Sequence, residues 1–168
     1  MASLKGARSL TTFPVGGYAG GGVLNSAFGL YNFASAASSA DTVDLLRLPA
    51  GALVVGGEFR GDDIDTGTEA LDIDIGWTAN GGTGVGATAD PDGFGNFGTI
   101  DGDAVAQHKP EASILYHLNG TLKSGPVYFD AETLIQAVVN TAANAGGTGK
   151  IWVRIDFLYK PDTTSAQT

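Results

Sequence analysis

Apolar and polar residues alternate with a period of two along most of this chain. The cleanest stretch is Leu71-Asp72-Ile73-Asp74-Ile75-Gly76-Trp77. A period of two turns Leu71, Ile73, Ile75 and Trp77 to one side and the aspartates to the other, so the pattern predicts a strand with Asp72 and Asp74 in water. Lys150–Lys160 alternates as well, with Ile151, Val153, Ile155, Phe157 and Tyr159 on one face, Arg154 and Asp156 on the other, and Pro161 as the stop. Residues 23–33 have the aromatic and branched content of a strand, and the alanine-serine run 34–40 reads as a connector. Val43–Leu48 and Ala52–Phe59 flank Pro49-Ala50-Gly51, which is turn chemistry. The pair predicts a hairpin, or one strand bent at a corner, with Leu53, Val55 and Phe59 on one face. Ile114, Tyr116 and Leu118 alternate up to Asn119-Gly120, the signal for a two-residue hairpin with a short return strand Thr121–Lys123. Residues 131–142 fit either a helix capped by Asp130 or a strand with Ile135, Ala137 and Val139 inward; strand neighbours on both sides favour the strand. Residues 78–103, dense in glycine and aspartate, read as a long loop, with room for a short strand or turn inside it, anchored by Phe94 and Phe97.

These elements amount to roughly seven to nine strands without a βαβ unit, the pattern of an all-β, antiparallel β-sandwich or jelly-roll-like single domain. The expected organisation is an extended glycine-rich N-terminal arm over 1–22, a sandwich over 23–161 and a polar tail over 162–168. Phe13 and Tyr18 lie in the arm with no local core to bury them, so they are expected to dock on the body or on a neighbour.

Composition narrows the chemistry. The chain has 168 residues, no cysteine and two histidines. Disulfides, thiolate metal sites and cysteine nucleophiles are excluded, and an all-histidine zinc site has too few ligands. No apolar run reaches the roughly 20 residues of a membrane span, and the first residues lack a secretory pattern. The formal net charge is −9, which speaks against a nucleic-acid partner. That charge is segregated: residues 1–40 carry +2, from Lys5 and Arg8, whereas residues 58–103 carry −10. The acidic stretch is either a solvated face or a patch for a basic arm or a cation.

The recognisable motifs are weak. Gly93–Gly98 spells G-x-G-x-x-G, but aspartates precede it, no helix follows and a cofactor phosphate would be repelled. Asp90-Pro91-Asp92-Gly93, Asp101-Gly102-Asp103 and the group Asp62, Asp63 and Asp65 resemble calcium-ligand runs without the spacing of a calcium loop; turn-forming aspartates are the simpler reading. His108 lies in a loop and His117 in a strand, neither beside a nucleophile. Trp77 and Trp152 are of the type that stacks on sugars; Trp77 follows the inward phase, whereas Trp152 faces out and suits an interface. Asn119-Gly120-Thr121 is a formal glycosylation sequon better explained as a turn. The expectation is no catalysis, no cofactor and no metal.

Three segments together resemble a known class. They are Leu45-Leu46-Arg47-Leu48-Pro49-Ala50-Gly51-Ala52-Leu53-Val54-Val55, the acidic strand Leu71–Gly76, and the closing run Gly146-Gly147-Thr148-Gly149-Lys150-Ile151-Trp152-Val153-Arg154-Ile155-Asp156-Phe157. Over residues 42–160 the chain resembles the decoration, or cement, proteins of tailed-bacteriophage capsids, which have a jelly-roll-like body. The resemblance implies a homo-oligomer, commonly a trimer, bound to the major capsid protein on the outer surface of the virion, with no role for nucleic acid or membrane. The residues expected at such interfaces are Lys5, Arg8, Phe13 and Tyr18 of the arm, Asp62, Asp63 and Asp65 of the acidic stretch, and Phe94, Phe97 and Trp152. Other classes compatible with the pattern are a different virion component (tail tube, head fibre or shell) and a carbohydrate-binding β-sandwich module.

Overall fold

The computed structural model describes residues 3–5, 23–62, 64–65, 68, 70–99 and 113–159. Ten strands run in order: β1 (Ser3–Lys5), β2 (Leu24–Phe33), β3 (Thr42–Leu48), β4 (Ala52–Asp62), β5 (Asp72–Trp77), β6 (Asp90–Thr99), β7 (Ser113–His117), β8 (Val127–Phe129), β9 (Thr133–Thr141) and β10 (Gly149–Tyr159). Two short 3-10 turns, Val85–Ala87 and Gly120–Ser124, complete the elements. No α-helix occurs among the described residues.

The strands form two sheets. The first has the order β1-β3-β9-β5-β6 and the second β2-β10-β4-β7, with β8 also paired to β4. Every pair is antiparallel except β1 with β3. Strands β2 to β5 alternate between the sheets, β5 and β6 pair within the first, and the late strands β9 and β10 return to sit between early ones. That ordering is the jelly-roll arrangement.

The connection between β3 and β4 is therefore a corner and not a hairpin. Ala52 N–H donates to the Pro49 carbonyl (3.2 Å), and Gly51 N–H reaches the Phe129 carbonyl (2.8 Å). Gly51 takes φ 86°, a left-handed conformation that glycine adopts without steric penalty.

The core lies between the sheets. Leu45 and Leu48 of β3, Ile73, Ile75 and Trp77 of β5, Ile135, Ala137 and Val139 of β9, and Ile151, Val153, Ile155 and Phe157 of β10 are all buried. Residues 133–141 thus form a strand with the expected inward phase. At one end, Trp77, Phe94 and Phe129 meet edge to face, with centroids 5.0 to 6.2 Å apart. Such pairs add about 0.5–1.5 kcal/mol beyond their area burial.

Four local readings of the sequence are corrected. In β4 the inward residues are Ala52, Val54 and Phe59, while Val55 is exposed. The register with β10 slips between Asp156 and Phe157, opposite Val54–Gly56, and this bulge exchanges the faces of the strand partway along. Residues 90–99 form strand β6, not a loop. Its glycines make room for rings: a Cβ on Gly93 would lie 2.2 Å from the Trp77 six-membered ring. Asn119-Gly120 does not open a hairpin, because Gly120–Ser124 winds into a 3-10 turn packed on β6. There Gly120 (φ 39°) comes so close to β6 that a Cβ would meet the Gly93 carbonyl oxygen at 2.3 Å. Finally, Asp74 is buried and not in water.

Candidate functional surfaces

With the core filled, function falls to the two outer faces. The outer face of the first sheet is acidic. Alternation on β5 places Asp72 and Asp74 there; β3 adds Asp44, and the start of β6 brings Asp90 and Asp92 alongside. Partners from β9 hold two of these carboxylates. Gln136 Nε2 donates to Asp44 Oδ1, and Asn140 Nδ2 donates to Asp74 Oδ2 (2.6 Å). The other Asp74 oxygen is buried without a donor. Burial pushes the Asp74 carboxyl above the usual carboxylate range; the Asn140 bond opposes this, and the charges of Asp72 and Asp92 add to it. Asp90 is also raised, first by burial and then by its hydrogen bond to, and the charge of, Asp92. A groove of about 330 Å³ runs beside this cluster, lined by Ser39, Thr42, Pro91, Gln136, Val138 and Asn140. No group of three or more His, Asp or Glu side chains among the described residues is arranged to hold a metal ion.

The second sheet's outer face differs. Glu58 is nearly buried and is gripped by Arg154 Nη1 (3.2 Å) and Arg60 Nη2 (3.4 Å). Arg154 also reaches Asp156 (3.2 Å), which accepts from Ser26 Oγ (2.6 Å). The Arg60 guanidinium lies 4.8 Å above the Trp152 ring. Beside this network the edge strand β2 exposes Leu24, Phe28 and Leu30, continued by Val23 before the strand and by Val55 on β4. The alternation in β2 is apolar on both faces, since Ala27 and Phe33 point inward. That double-sided pattern was the one sequence signal that could have marked Leu24, Phe28 and Leu30 as interface residues.

The residues expected at interfaces scatter. Arg8, Phe13, Tyr18 and Asp63 lie outside the described residues, as do His108 and the Asp101–Asp103 run. Lys5 ends β1, on the edge of the acidic sheet. Asp62 is exposed and accepts the Lys150 N–H (2.9 Å). Trp152 is half-buried beneath Arg60. Phe97 is half-buried and stacks on Phe59 with centroids 5.4 Å apart. Phe94 and Asp65 present no surface: Phe94 fills the aromatic cluster, and Asp65 is 1% exposed. The physical reason for Asp65 is clear from its bonds, because it accepts N–H groups from Ala70, Leu71, Asn144 and Ala145 at 2.8–3.1 Å. Burial works to raise its pKa, and those four donors together outweigh it and hold it below the usual carboxylate range. Of the tryptophans, Trp77 is fully buried and donates Nε1–H to the Thr88 carbonyl (3.2 Å), so it packs the core instead of stacking on a sugar.

These features define a class: an all-β jelly-roll sandwich whose described charged groups lie on the outer faces of its two sheets. Two solved structures share it over nearly the whole chain. One is a chain from "Capsid of Ralstonia phage GP4", 14% identical, TM-score 0.69, covering 95% of this chain and 99% of that one. The other is a chain from "Cyanophage Pam1 capsid asymmetric unit", 19% identical, TM-score 0.58, covering 90% of this chain and 96% of that one. At such identities the likeness is one of fold. No protein-family model and no curated protein matches the sequence.

Proposed function

We propose that this chain is a structural virion protein, one that decorates and stabilises a tailed-phage capsid by binding its outer surface as an oligomer. The observation that carries this reading is the end-to-end sharing of the jelly-roll fold with chains from two phage capsids. The surfaces support it: charged groups lie on the outer faces of both sheets, with an exposed apolar stripe on β2. The proposed partners are the major capsid protein and further copies of the chain itself, most simply a trimer. The arm over 1–22, with Lys5, Arg8, Phe13 and Tyr18, is proposed to engage a neighbouring subunit or the shell. A segment of positive charge and an acidic sheet face are electrostatically complementary, which guides register more than it adds affinity. Many weak contacts repeated on a lattice then sum to firm attachment.

The test is co-sedimentation with capsids assembled from the major capsid protein of the same virion, for the full chain and for a chain lacking residues 1–22. Saturable binding of the full chain, weakened by the deletion, is the expected result. Absence of the full chain from the capsid pellet would overturn the reading, and unchanged occupancy after deletion would remove the arm from it.

A further inference from the structure

We infer that the exposed stripe Leu24, Phe28 and Leu30 on β2, with the charged face beside it, is where copies of this chain meet one another about a rotation axis. The inference deepens the oligomeric part of the proposed function, and it does not depend on shell binding.

Exposure and composition come first. Six large apolar side chains are exposed among the described residues: Val23, Leu24, Phe28, Leu30, Val55 and Val85. Four of them belong to β2 or its approach, and Val55 lies on the same sheet, so the apolar surface is concentrated and not scattered. Among the described residues β2 ends its sheet, and an apolar outer face on such a strand invites association, which native proteins block or use. The outward residues of β2, read from Leu24 to Asn32, include no charge that would block it.

Electrostatics then selects the occupant. Each copy carries −9, so two copies repel unless they approach through surface that carries no net charge. The acidic outer face of the first sheet is unsuited, with Asp44, Asp72, Asp74, Asp90 and Asp92 gathered there. On the outer face of the second sheet, the cations Lys150, Arg60 and Arg154 are matched by the anions Glu58, Asp62 and Asp156. Among the described residues that face is neutral, and most of its charges are already tied by the ion pairs and hydrogen bonds given above. A partner of opposite charge would gain little from it, whereas a second copy of an acidic chain loses least there.

Area is sufficient. Three strands of ten or eleven residues and one of five, about 4.8 Å apart with about 3.3 Å per residue, give a face of roughly 600 Å². Two copies would bury on the order of 1,200 Å², the lower bound of a specific interface. Residues close to a rotation axis meet their own copies, so one apolar stripe suffices for a closed ring.

The experiment is light scattering after size exclusion on the full chain, up to about 200 µM, for wild type, the double variant F28D/L30D and the control V85D. Val85 is exposed on the separate 85–87 turn. The expected result is a discrete oligomer for wild type and V85D and a monomer for F28D/L30D. Hydrogen exchange on wild-type protein supplies a second measurement independent of the variants: β2 amides should become at least tenfold better protected as concentration rises. A dimer that F28D/L30D dissolves supports the inference while overturning the trimer. Wild-type protein that stays monomeric, an oligomer that survives F28D/L30D, or β2 protection indifferent to concentration overturns it. If such a monomer still pellets with capsids, the decorating role stands without this interface.

Discussion

Asp65 shows how one residue changes meaning between sequence and structure. In the sequence it belongs to an acidic run, but in the fold it is a buried acceptor that ties the 70–71 segment to residues 144–145. Asparagine has one acceptor oxygen and would aim an NH₂ group at backbone donors, so Asp65→Asn should cost about 2–3 kcal/mol. The sign of the pH dependence follows from its lowered pKa. Stability from such a group is fully present above the unfolded carboxylate value of about 3.9 and is lost as pH falls through the still lower folded value. Urea midpoints should therefore separate wild type from D65N at pH 7, with the gap narrowing as pH falls below about 3.9; a constant gap would reject the ionised role. Asp74 has the opposite sign, since its raised pKa makes its ionised form a burden that lessens as the medium becomes acid.

Among the elements, β6 was the least legible. Gly93, Gly95 and Gly98 argued for a loop because glycine is poor in strands. At Gly93 and Gly95 the absent side chains instead leave the space that Trp77 and Phe97 occupy. Gly93→Ala should destabilise by about 2 kcal/mol or more through overpacking against Trp77, which a shift in the urea midpoint would measure. A variant as stable as wild type would show that the ring moves freely. The bulge in β4 was likewise hidden, and the corner at Pro49–Gly51 could not be told from a hairpin, for a shared reason. Both depend on which strand lies alongside, Phe129 for the corner and β10 for the bulge. By contrast, β5 and β10 were readable as inward-facing strands from their unbroken alternation, whereas β9, apolar at 134, 135, 137, 138 and 139, was favoured over a helix only by the strands on either side.

For the whole molecule, charge sets the conditions of association. A chain of net −9 with a neutral outer face should self-associate more readily as salt screens the residual repulsion. Sedimentation velocity at about 20 mM and about 500 mM sodium chloride should show the oligomer fraction rising with salt. A fall would indicate that ion pairs between copies hold the assembly, and would shift attention from the apolar stripe of β2 to the acidic sheet.

By itself, the sequence determined that this is an all-β sandwich and which residues of β5 and β10 form its interior, while for β9 it left a helix open. Burial of one face of a strand imposes a period of two, and that period is written locally. It also determined that the acidity is concentrated in one stretch. Only the tertiary structure decided that Asp65 and Phe94 are interior, that Asp74 is crowded by its neighbours, and that Leu24, Phe28 and Leu30 stay outside while Ala27 and Phe33 go in. Those outcomes depend on residues up to 130 positions apart, as in the bond from Ser26 to Asp156. Local alternation states that a strand has two faces; only the packing of the second sheet chooses which one is left for a partner.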